Sequence, residues 1–131
     1  MYLDHDPNFV VKLNDAIFYT CWTDYFHSLL MHNYFFPNTA YELIGFHKYE
    51  NALHAVVRQP YIQITEATDL LYVRAFLEAN GFRLIRNNDY CNDDLGIILE
   101  DIHDENVLMN AGVLFFIDTV FYLRPDADNM S

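Results

Sequence analysis

Glu100-Asp101-Ile102-His103-Asp104-Glu105-Asn106, set between the apolar runs 95–99 and 107–109, is the stretch on which the reading of this chain turns. A loop so dense in carboxylates is either a solvated turn, in which Asp and Asn side chains bond their own backbone, or a site for a hard cation. Asp101 and Asn106 are separated by four residues. A hairpin follows, turning at Asn110-Ala111-Gly112, and Asp118 stands at the end of its second strand, 113–117. Two carboxylates and an amide that could converge in this way are the hard oxygen donors that magnesium takes. Ligation of a transition metal by His103 with Asp104 and Glu105 is the poorer reading, because no second histidine lies nearby.

Working outward, the order of elements is α+β. Residues 9–11 read as a β-branched and aromatic strand leading to Lys12, with Asn14 or Asp15 capping a helix. Along that helix Phe18, Trp22, Tyr25, Phe26, Leu29 and Leu30 recur at helical spacing and define one apolar face that packs on a sheet. The helix is expected to end near Asn33, before Pro37. Residues 41–46 and 52–59 form a hairpin around the polar stretch 47–51, and Pro60 stops its second strand. Thr65 caps a second helix carrying Leu70, Val73 and Leu77, with Gly81 just past its end. Short strands at 82–85, 95–99, 107–109 and 113–117 complete the chain. Residues 4–8 and 124–131 are polar, contain proline, and are expected to be loose ends.

Composition narrows the function. The 131 residues, 53% hydrophobic, suffice for one domain with a packed core. A formal net charge of −12 opposes binding to nucleic acid or to an anionic membrane, and no stretch is long and apolar enough to span a bilayer. The two cysteines, Cys21 and Cys91, form no paired motif, and the opening residues lack the basic character of a signal peptide, so the expected location is the cytoplasm. No repeat is present. His27, His32, His47 and His54 are scattered and read as structural.

The pattern Asp101-x4-Asn106, hairpin, Asp118 is the arrangement of protein-kinase-like catalytic loops. More specifically, the runs Val11-Lys12-Leu13-Asn14, His32-Asn33-Tyr34-Phe35-Phe36-Pro37-Asn38-Thr39-Ala40-Tyr41, Leu43-Ile44-Gly45-Phe46, Gln59-Pro60-Tyr61 and Asp101-Ile102-His103-Asp104-Glu105-Asn106-Val107-Leu108 resemble the kinase domain of polyvalent proteins from phages and mobile elements. The resemblance runs from about Phe9 to Tyr122. It implies a reduced kinase-like fold in a single domain, 1–131. Residues 9–63 would form an N-lobe-like part, a small antiparallel sheet with a helix, followed by a hinge. Residues 64–123 would form a reduced C-lobe-like part, a helix plus β-hairpins, with 124–131 as a flexible tail. It further implies Mg²⁺ and ATP as cofactors. Asp101 would be the catalytic base, Asn106 and Asp118 the magnesium ligands and Lys12 the phosphate contact. Pro60, Tyr61 and Glu66 would border the adenine.

This chain also departs from the pattern. None of the eleven residues before Lys12 is glycine, thirteen residues follow Asp118, and the first helix offers Asp24 rather than a glutamate to pair with the lysine. The expected function is therefore magnesium–nucleotide binding with degenerate or absent phosphotransfer. The alternative is a non-enzymatic acidic protein that binds a basic partner, for which the charge of −12 is the motive. Strand edges near Phe9 or Val113 would be the places for a second copy to pair in a homo-oligomer.

Overall fold

The computed structural model describes residues 2, 3, 5–17 and 19–124. Asp4 of the expected N-terminal loose end, Phe18 of the expected first helix and the expected tail from Pro125 onward lie outside them. The chain is α+β and divides into two compact units, Met1–Gln63 and Ile64–Ser131. Among the described residues no helix is long and apolar enough to cross a membrane.

In the first unit, β1 (Tyr2–Leu3), β2 (Phe9–Asn14), β3 (Glu42–Tyr49) and β4 (Ala52–Pro60) form an antiparallel sheet in the order β1-β2-β4-β3. Its helix, α1, spans Trp22–Phe35. Strand β4 alternates as a half-buried strand should, with Ala55, Val57 and Gln59 turned to the core. Against Ala55 pack Ala16 and Tyr25, bordered by Tyr19, Trp22, Phe26 and Leu29. The rings of Trp22 and Phe26 meet Phe46 of β3 edge-on, at 5.7 and 6.1 Å.

The helix begins later than the sequence suggested. Asn14 and Asp15 use their side chains on local turns instead of a cap: the N–H of Ala16 donates to Asn14 Oδ1 and that of Ile17 to Asp15 Oδ1. Its buried face is also narrower, since Leu30 is 65% exposed. Residues Asp6 to Asn8 are an ordered turn rather than a loose end, with the N–H groups of Asn8 and Phe9 both donating to Asp6. Strand β2 is flanked by β1 and β4, so the expected open edge near Phe9 is largely covered. The hairpin turn is shorter than the polar stretch 47–51: β3 continues to Tyr49, and Glu50 and Asn51 alone turn the chain, both at positive φ.

A short 3-10 turn, Pro37–Thr39, connects α1 to β3. The Asn33 amide clamps it, accepting from the Tyr41 N–H (2.7 Å) and donating to the Tyr41 carbonyl (2.9 Å). Behind it the fully buried His32 donates through Nε2 to the Thr39 carbonyl oxygen, which also accepts from Gln59 Nε2. Buried polar groups at this corner thus answer one another.

The second unit opens with α2 (Leu70–Ala79) and continues through β5 (Arg83–Arg86), β6 (Asp89–Asn92), β7 (Ile97–Glu100), β8 (Val107–Asn110), β9 (Val113–Phe116) and β10 (Val120–Leu123). One antiparallel sheet has the order β10-β7-β6-β5, and β8 and β9 form a hairpin. Its core holds Val73 and Leu77 of α2, Leu99, Ile102, Val107, Phe116 and Phe121. The cap of α2 is Asp69, whose carboxylate accepts from the N–H groups of Leu71 and Tyr72. Thr65, expected there, instead accepts from the Ala111 N–H. At the other end Gly81, φ +91°, lets the Phe82 N–H reach the Leu77 carbonyl and its own N–H reach Glu78, the pairing of a Schellman motif. Strands β6 and β10 had no counterpart in the sequence reading.

Arg124 is held rather than loose: its N–H donates to the Gly96 carbonyl and its guanidinium to Asp93 at 2.6 Å. Asp93 also receives a two-point contact from Arg83 of β5. One carboxylate therefore joins groups at both outer strands of the larger sheet.

Candidate functional site

The acidic loop leaves β7 and enters β8, and three contacts fix it to the second unit. Ile102, 1% exposed, anchors it in the core. The Ile102 N–H donates to the Asn88 carbonyl and the Asp101 N–H to the Asp89 carboxylate, both in the β5–β6 hairpin. Asp101 is held with φ +67°, in the left-handed region that Asp tolerates better than most residues.

Asn106 is the hub. Its Nδ2 donates to the Asp101 carbonyl oxygen at 2.7 Å and lies 3.4 Å from Asp101 Oδ2. Its own carbonyl oxygen accepts from the N–H groups of Ile117 (2.9 Å) and Asp118 (3.5 Å). The reason is the register of the hairpin. Pairing of Val107 with Phe116 through to Asn110 with Val113, closed by Ala111 and Gly112 at positive φ, places the flanking residues 106 and 117–118 side by side at its open end. Asp101, Asn106 and Asp118, spread over eighteen residues of sequence, are thus gathered at one end of the unit.

His103 belongs to the same cluster, a placement the sequence reading did not give it. Its Nε2 lies 3.1 Å from Asp101 Oδ1 and 3.3 Å from Asn106 Nδ2. Its nearness to the pair was legible only as the spacing of a tight turn, in which the Asn106 N–H donates to the His103 carbonyl. The electrostatic setting is negative. Burial, followed by the Asp89 carboxylate, raises the Glu100 carboxyl above its ordinary range, with Arg86 opposing.

The donor set suits a hard cation. The Asn106 side-chain bonds to Asp101 and His103 all use its nitrogen, which leaves its amide oxygen as the atom a cation would take, and Asp118, tied to Asn106 through the backbone, is exposed. Among the described residues no group of three or more His, Cys, Asp and Glu is placed to hold a metal. Magnesium asks for less, since one or two carboxylates suffice when phosphates and water complete its shell.

The other predicted site residues have the following places. Glu66 bridges to Met109, and its carboxylate accepts from the Gly112 N–H at 2.7 Å, bracing the β8–β9 turn. Lys12, in the first unit, sits on β2 opposite Val57 with Nζ 5.6 Å from the centre of the Tyr41 ring. Nine residues, not one or two, separate it from the start of α1. Pro60 ends β4, and the Tyr61 N–H donates to the Asn8 carbonyl, extending the β2–β4 pairing by a residue.

A strand bearing a lysine, then a helix and a hairpin, then a D-x4-N loop with a second Asp beyond the next hairpin, is the serial plan of a protein kinase. The family model described as "Serine/Threonine/Tyrosine Kinase found in polyvalent proteins" matches residues 1–125. The chain belongs to this family and is a kinase-like domain. No match was found among curated proteins or solved structures.

Proposed function

We propose that this kinase-like domain binds a magnesium–nucleotide at the acidic loop and that its phosphotransfer is degenerate. The observation that carries the reading is the tie from Asn106 to Asp101 on one side and to Asp118 on the other. Asn106 and Asp118 would hold the cation, which, when bound, offsets the negative charge of the phosphates. Asp101 would accept the proton of an acceptor hydroxyl, its carboxylate set by Asn106 Nδ2 and His103 Nε2. The assignments of Lys12 to the phosphates and of Pro60, Tyr61 and Glu66 to the base rest on family membership alone.

Degeneracy is argued from α1. An active kinase pairs its lysine with a glutamate of the following helix. Here the acidic residue of that helix is Asp24, one methylene shorter and in the first turn, while Lys12 Nζ lies against the Tyr41 ring. A lysine committed in this way is poorly prepared to orient phosphates.

Calorimetric titration with Mg-ATP, run beside Asp118→Asn, tests the reading. Wild type is expected to bind saturably and the variant about tenfold more weakly or worse, the loss of one charged ligand. Absence of saturable binding by the wild type rejects nucleotide binding. Equal binding by the variant rejects Asp118 as a ligand.

A further inference from the structure

His47 and His54, scattered in the sequence, face each other in the fold. They are direct partners in the regular part of the β3–β4 hairpin, between its bulge at Leu43/Gly45 and the turn at Glu50 and Asn51. Residues directly opposite in an antiparallel pair project from the same face, with Cβ atoms roughly 5 Å apart. The Tyr49 ring, two positions along β3 from His47 and so on its face, meets the His54 ring edge-on at 6.1 Å. Phe46, at the alternate position, packs on Trp22 and Phe26 of α1, so the histidine pair stands on the face away from those rings. His47 is exposed and His54 half-buried.

Strand packing explains such a pair poorly. Imidazole is neither β-branched nor strongly apolar, and two imidazolium ions placed directly opposite repel. Hydrogen bonding gives a better account. His54 Nδ1 lies 3.0 Å from the Ala52 carbonyl oxygen, which can only accept, so Nδ1 carries the proton and the lone pair of the neutral ring is on Nε2. A ring held through Nδ1–H to a backbone carbonyl is in the state in which histidine ligates a metal through Nε2. Metal–nitrogen bonds of about 2 Å allow two imidazoles so spaced to reach one ion. The net charge of −12 favours the approach of any cation.

We propose that His47 and His54 form a two-imidazole chelate for a late first-row divalent ion, Ni²⁺, Cu²⁺ or Zn²⁺, with water in its remaining positions. Imidazole suits these ions, whereas Mg²⁺, Ca²⁺ and Mn²⁺ take oxygen donors. The chelate therefore differs in chemistry from the acidic loop and belongs to the other unit.

The test is calorimetric titration of the untagged full chain with NiCl₂ in millimolar MgCl₂, which competes for oxygen donors and leaves imidazoles free. Wild type is expected to bind one Ni²⁺ per chain saturably. His47→Ala removes one ligand. His54→Asn removes Nε2, while its Nδ2 can keep the bond to Ala52. Each should weaken binding about tenfold or more, with the metal-free melting temperature unchanged. His27→Ala, which removes an exposed histidine of α1, should bind as wild type does. Bound Cu²⁺ should give an electron paramagnetic resonance spectrum coupled to two imidazole nitrogens in wild type. Failure of wild type to saturate overturns the proposal. Binding that survives His47→Ala or His54→Asn overturns it too, since the ion then lies elsewhere, as does a wild-type Cu²⁺ spectrum with a single imidazole nitrogen.

Discussion

Under the proposed function, Asp101 is a residue placed for chemistry at the expense of stability. Held at φ +67°, it occupies a backbone region that costs an L-residue roughly 1 kcal/mol or more and glycine nothing. Its N–H is already satisfied by Asp89 and its carbonyl by Asn106, so these bonds do not need its carboxylate. Asp101→Gly should therefore be neutral or up to about 1 kcal/mol more stable in denaturant melts, while any phosphotransfer is lost. Asp101→Ala, which keeps the strain, should be no more stable than wild type. A clear loss of stability in the glycine variant would show the carboxylate to be structural, as in an ordinary Asp-held turn. The same polar chemistry explains where sequence reading succeeded and where it erred. Gly81 and Gly112 announced their turns because few other residues take those φ values. Asn14, Asp15, Thr65 and Asp69 all offer a side-chain oxygen to nearby N–H groups, and only tertiary context made Asp69 the helix cap and the others turn braces.

At the scale of elements, the legible parts were those whose hydrophobic pattern matched their period. Strand β4 and helix α2 alternate as their geometry demands. Strand β6, Asp89–Asn92, reads as polar and yet Tyr90, Cys91 and Asn92 are buried, because neighbouring strands rather than its own pattern hold it. The D-x4-N loop was legible because its geometry is local, whereas the Asp93 bridge joins residues from 83 to 124 and left no sequence signature. That bridge carries a pH dependence. Hydrogen bonds from Arg83, then from Arg124, hold the Asp93 carboxyl well below the ordinary range. With the folded value below the unfolded one, its stabilisation is complete above the unfolded carboxylate range and is lost as pH falls through about 4 and below. Thermal melts should show Asp93→Asn less stable than wild type near neutrality, and the difference should shrink as the solution is acidified. A difference independent of pH would assign the effect to packing instead of charge.

For the whole molecule the decisive quantity is the net charge of −12. A nucleoside triphosphate is itself an anion, so the summed field opposes its approach even if the acidic loop attracts magnesium as proposed. Added salt shortens the screening length to about 8 Å at physiological strength and removes the long-range repulsion before it weakens contacts inside the site. Nucleotide affinity at saturating magnesium should therefore hold or rise as a salt such as potassium chloride increases from low to physiological concentration. The alternative reading of the acidic surface, attraction of a basic protein, has the opposite sign, because the same screening removes what drives it. Titrating the domain with Mg-ATP, and separately with a basic protein probe such as a lysine-rich histone, over the same salt series separates the two. Nucleotide binding that persists while probe binding falls away marks the loop as the specific site and the surrounding charge as a barrier that the magnesium complex, less negative than the free nucleotide, is better able to pass. Probe binding that outlasts nucleotide binding as salt rises would reverse that assignment and make the acidic surface the feature that specifies the partner.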